Sequence, residues 1–79
     1  MELILFGIAR EIVGTNRLLI PSGANITTVN ELKAWMKKVY PSLAALSSVA
    51  VAVNSRYAED DERLEANSEI AFIPPVSGG

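Results

Sequence analysis

Two short runs without a polar side chain do most to limit the fold: Leu3-Ile4-Leu5-Phe6 near one end of the chain and Ile70-Ala71-Phe72-Ile73 near the other. A strand with one wet face alternates polar and apolar residues. A run with no alternation is the pattern of a strand covered on both faces. Both runs therefore belong at the centre of a sheet. Nearly the whole chain lies between them, so they can lie side by side and parallel if a helix makes the crossover.

One segment is suited to that crossover. Thr28 can accept from the Glu31 amide while the Glu31 carboxylate returns a bond to the Thr28 amide, which is a capping box. From there Val29, Leu32, Trp35, Met36, Val39 and Tyr40 recur at helical spacing on one face. Asn30, Lys33, Lys37 and Lys38 take the other, with the lysines toward the end where the helix dipole favours cations. Pro41 stops the helix. An aromatic stripe could line a ligand pocket, but at this spacing it reads as core.

The remaining elements are short. Gly7 ends the first run, and Ile8 to Val13 reads as a link with room for a helical turn. Gly14-Thr15-Asn16 is a turn signal. Arg17-Leu18-Leu19-Ile20 is a second strand, antiparallel to the first and stopped by Pro21 and Ser22-Gly23. Pro41 to Ser48 is a connector with room for a further helical turn. Val49 to Val53 places valine at alternate positions, as a strand does. Asn54-Ser55 turns the chain into a brief edge strand, Arg56-Tyr57-Ala58. Glu59-Asp60-Asp61-Glu62 lacks the glycine and ligand spacing of a calcium loop and reads as a solvated loop anchored by Leu64. Asn67-Ser68 leads into the last strand, with Asn67 expected to supply a left-handed turn residue. The order predicts an α+β domain, one mixed sheet with one main helix packed across it, over residues 1–73. That is the β-grasp, or ubiquitin-like, arrangement.

Composition excludes several kinds of chemistry. The 79 residues contain no cysteine and no histidine, so disulfides, Cys/His zinc sites, cysteine nucleophiles and histidine bases are all absent. Nine acids against seven bases give a net charge of −2 with no basic run, which argues against nucleic acid. Neither a signal peptide nor a membrane span is present, so a cytoplasmic protein is expected. With 49% hydrophobic residues and a mean hydropathy of +0.26, the chain is apolar for its size. Some of that surface is expected to meet a partner.

Residues 74–79, Pro74-Pro75-Val76-Ser77-Gly78-Gly79, form an extended tail. Prolines cannot donate to a sheet ladder, so they end the last strand and stiffen the start of the tail. Six extended residues reach roughly 20 Å, enough to enter a deep pocket on another protein. The two glycines carry no Cβ and could pass a narrow channel.

The stretch Glu69-Ile70-Ala71-Phe72-Ile73-Pro74-Pro75-Val76-Ser77-Gly78-Gly79 resembles the ending of the molybdopterin synthase small subunits, a family of ubiquitin-like sulfur carriers. Leu5-Phe6, Ala9-Arg10-Glu11-Ile12-Val13-Gly14 and Ala52-Val53-Asn54 extend the resemblance over the whole chain. It implies that an ATP-dependent activating enzyme converts the Gly79 carboxylate, anionic and inert at pH 7, to an acyl-adenylate. Sulfur then displaces AMP and leaves a thiocarboxylate. With Pro74, Pro75, Val76, Ser77 and Gly78 threaded into the large subunit, that group donates sulfur to a cyclic pyranopterin precursor. The resemblance also implies a partner surface including Phe6, Tyr57 and Ile73. Strand alternation leaves some of Phe6, Phe72 and Ile73 on the exposed sheet face, which makes Phe72 a further candidate, and Arg10 is a candidate contact next to the tail's exit. Catalytic side chains would sit on the large subunit, no cofactor would be bound, and this chain alone would not be an enzyme. The family often has an Asp-Gly-Asp-Glu turn before the last strand, where this chain has Ala66-Asn67-Ser68-Glu69.

Two rival readings share these features. A sulfur carrier for the thiazole of thiamine or for tRNA thiolation, or a ubiquitin-like modifier, would have the same fold and Gly-Gly end. A plain interaction domain would make the glycines incidental.

Overall fold

The two apolar runs do lie side by side. In the computed structural model, which describes residues 1–46 and 48–74, strand β1 (Glu2–Leu5) pairs in parallel with the last strand, β5 (Glu69–Ile73), from Glu2 opposite Glu69 to Leu5 opposite Phe72. Between them in sequence come helix α1 (Gly7–Val13), strand β2 (Arg17–Leu19), helix α2 (Val29–Val39), and strands β3 (Ala50–Val53) and β4 (Arg56–Tyr57). Single 3-10 segments occupy Ser22–Ala24 and Pro41–Ala45. The sheet order is β2-β1-β5-β3-β4, with β1–β5 the parallel pair and the other neighbours antiparallel.

Alternation along the strands separates two faces. Leu3, Leu5, Val51, Val53, Ile70 and Phe72 point one way and are at most 3% exposed. Against them pack Val29, Leu32 and Met36 of α2, Ala9 of α1 and Leu43 of the second 3-10 segment, all fully buried. Val39 does not join them and is 46% exposed. It sits on the flank of the stripe that Val29, Leu32 and Met36 centre, so the helix turns it away from the sheet. Trp35 and Tyr40 are half-buried at the margin.

The capping box forms as expected: Glu31 N donates to Thr28 Oγ1 at 3.2 Å, and Glu31 Oε1 accepts from Thr28 N at 3.2 Å. The same oxygen accepts from Thr27 N at 2.8 Å and from Thr27 Oγ1 at 2.7 Å. Two of these expectations need correction. Ile8 to Val13 belongs to a full helix, α1, closed by Gly14 at φ 92, whose amide donates to Arg10 O at 2.8 Å. Asn67 does not take a left-handed conformation. Its turn is held by Ser68 N donating to Glu65 O at 3.0 Å, and by Asn54 Oδ1 accepting from Glu69 N at 3.0 Å. The acidic segment is an exposed loop anchored by buried Leu64, as expected, and its backbone is also tied to α2. Glu62 O accepts from Val29 N at 3.0 Å and Asp60 O from Asn30 N at 2.8 Å, so its carbonyls satisfy the first free amides of α2.

Candidate functional site

The face of the sheet turned away from the helices carries the other set of side chains. Strand register arranges them in rows. Arg17, Ile4, Ala71, Ala52 and Tyr57 are successive partners across all five strands. One step nearer the end of β5, Ile73 lies beside Ala50, and the parallel register continued from Leu5–Phe72 sets Phe6 on its other side. One step the other way come Leu19, Glu2 and Glu69. Alanine at 50, 52 and 71 keeps the middle of this face low. Larger apolar groups stand at its borders: Phe6 is 48%, Tyr57 73% and Leu19 75% exposed. A flat apolar surface with aromatic edges and no helix over it has the composition of a protein interface core. The far row brings in the carboxylates of Glu2 and Glu69, and Arg17 of the middle row reaches across to it, its Nη1 3.1 Å from Glu2 Oε1.

The chain leaves the sheet beside this face. Strand β5 ends at Ile73, and Pro74, expected among the residues threaded into a partner, is instead buried against the domain itself. A Cβ built on Gly7 would stand 3.3 Å from Pro74 Cγ, closer than most such contacts. Gly7 also holds φ at +53, a region in which other residues are strained. Arg10 comes one helical turn later, on the same side of α1, and is exposed. The structure thus places Phe6, Tyr57 and Ile73 on one face and Arg10 near the strand end. Phe72 is different. It is fully buried and faces α2, because it shares the parity of Ile70 and not that of Ile73, so its expected partner contact is withdrawn. Ile4, Ala50, Ala52 and Ala71 belong to the face and were not singled out in the sequence. Pro75, Val76, Ser77, Gly78 and Gly79 lie outside the described residues.

The acidic segment is braced by side chains as well. Lys33 Nζ meets Asp60 Oδ1 at 2.7 Å, and Arg56 reaches both Glu62 oxygens, at 2.9 and 2.6 Å. The hydrogen bonds and the charge of Glu62 hold the Arg56 guanidinium above its usual pKa. No group of three or more metal-ligating side chains occurs among the described residues. Nor does any helix there have the length and apolarity to cross a membrane.

A five-stranded β-grasp sheet with helices on one side, a bare apolar face on the other and its last strand at the centre defines a ubiquitin-like domain. Within that class the sequence matches the ThiS family over residues 3–79, and the chain belongs to that family. It is 33% identical over 81 residues to the molybdopterin synthase sulfur carrier subunit of Dictyostelium discoideum, covering 99% of this chain and 94% of that one. Its fold is similar to SAMP1 from Haloferax volcanii, with TM-score 0.73, 26% identity, and 99% and 97% of the two chains covered. It is also similar to a chain in the complex of subunits 1 and 2 of the molybdopterin-converting factor from Helicobacter pylori 26695. There the TM-score is 0.64 at 23% identity, with 99% and 96% covered, a likeness of fold alone.

Proposed function

We propose that this chain is the sulfur-carrier subunit of a molybdopterin synthase. Its Gly79 carboxylate attacks ATP on an activating enzyme, releasing pyrophosphate and forming an acyl-adenylate. A sulfur donor displaces AMP, and the resulting thiocarboxylate carries the sulfur. The bare sheet face then docks on the large subunit through Phe6, Tyr57 and Ile73, with Arg10 at its margin. Residues 75–79 enter the large subunit's site, where the sulfur passes to a cyclic pyranopterin precursor. The large subunit supplies the catalytic side chains, which suits a chain with no cysteine or histidine.

The observation that carries this reading is the position of Pro74. The last strand is clamped between β1 and β3 and ends beside an exposed apolar face. One docking event can therefore bury the face and bring the chain end to the partner. The likeness to the Dictyostelium sulfur carrier subunit supports the choice of acceptor. Removing Gly79 tests the reading: sulfur transfer should stop while folding and binding to the large subunit persist. Unaltered cofactor synthesis by the truncated chain would reject it.

A second reading has one observation in its favour, the likeness to SAMP1, a small archaeal modifier protein. As a modifier, the activated Gly79 would pass to a lysine amine of a target. Conjugates of higher mass that vanish when Gly79 is deleted would favour that reading, and a thiocarboxylate without conjugates would favour the first.

A further inference from the structure

Packing against the domain includes the residue after the last strand, Pro74, through an unusual contact. Pro74 cannot donate a ladder hydrogen bond, because it lacks an N–H. It is nevertheless buried, with its ring over the one residue of β1's continuation that has no side chain. Continued by two positions, the β1–β5 register sets Gly7 beside Pro74, which agrees with the 3.3 Å between the would-be Cβ of Gly7 and Pro74 Cγ. The pyrrolidine ring fixes φ near −65°. A residue whose ring is seated and whose φ is locked has little backbone freedom left to lose.

We infer that Pro74, seated on Gly7, is a positioning residue: it fixes the point and the backbone conformation from which the chain runs on toward Gly79, so less freedom is lost when the chain end enters the site that activates it. This rests on the carrier reading above. Pro74 touches neither ATP nor the reacting carboxylate, so it acts on binding and not on the chemical step. Freeing residue 74 adds backbone freedom that must be lost again when the chain end is inserted. Once inserted, Gly79 meets the same groups in the same geometry. The defect therefore belongs in KM, not kcat.

The test is steady-state adenylate formation, read as ATP-pyrophosphate exchange by the activating enzyme with the full-length chain as the varied substrate. Pro74→Gly should raise KM about fivefold to tenfold, the equivalent of one residue's backbone freedom, with kcat unchanged. Pro74→Ala, which removes the ring that meets Gly7 but has less backbone freedom than glycine, should fall between wild type and Pro74→Gly. Thr28→Ala provides the control, since it weakens the cap of α2 and should lower stability without moving KM. An unchanged KM in both Pro74 variants overturns the inference, as does a rise matched by Thr28→Ala. A loss confined to kcat does so too. A wild-type chain that supports no exchange at all would overturn the carrier reading and this inference with it.

Discussion

Leu5 and Phe72 face each other across the parallel ladder at the centre of the sheet, 1% and 0% exposed. Phe72 is therefore structural. Truncation to alanine should cost about 3–5 kcal/mol, a large share of the 5–15 kcal/mol that domains possess. Urea unfolding should show the midpoint collapse. A Phe72→Ala chain as stable as wild type would refute its assignment to the core.

Phe6 and Tyr57 should behave in the opposite way. Both stand on the bare face, so alanine at either position should change stability by no more than about 1 kcal/mol. Each should weaken binding to the large subunit by about tenfold or more, as aromatic groups at an interface do. Calorimetric titration separates the two effects. Unchanged affinity would remove that residue from the docking surface.

Glu31 gives the domain an acid-sensitive latch. Its carboxylate is held below its ordinary pKa of 4.5, first by the Thr27 hydroxyl, then by the Thr27 amide, with smaller help from Thr28. A group whose folded pKa is depressed stabilises the fold above the unfolded value, and that stability is lost as pH falls through the folded value. Glu31→Gln should therefore be less stable than wild type at neutral pH. The gap should close as pH drops below about 4.5. Urea midpoints across that range would show it, and a gap that stays constant would contradict the account.

The β3–β4 hairpin offers a stabilising change. Asn54 and Ser55 both have positive φ, 51° and 71°, the requirement of a type I′ turn. Asn tolerates this region and Ser does so poorly. Ser55→Gly should raise stability by about 0.5–1 kcal/mol, or about 2–8 °C in Tm. A lower Tm would mean that the turn is not strained.

The parts of the fold that were readable in the sequence were those with a local signature. The Thr28–Glu31 box, the stop at Pro41 and the two apolar runs each state their own structure. What could not be read was parity. Because Leu3–Phe6 and Ile70–Ile73 are apolar on both faces, nothing in them distinguishes inward Phe72 from outward Ile73. The register with β3, which does distinguish them, is a long-range property. The same blindness hid Ala50, Ala52 and Ala71, whose value to the face lies in being small. The acidic segment was read correctly as a solvated loop, but its backbone ties to α2 were hidden for a related reason. Its side chains are polar enough for a free loop, but its carbonyls are committed to α2 through Val29 and Asn30, and sequence does not show where a backbone bond goes.

The central claim is that sulfur travels on Gly79. It is tested most directly by the intact mass of the chain isolated from cells that contain the activating enzyme, alongside cells that lack it. The account predicts a species heavier by the replacement of one oxygen with sulfur, localised to the C-terminal glycine and absent without the enzyme. An unmodified mass in both, with cofactor synthesis proceeding in the first, would contradict it.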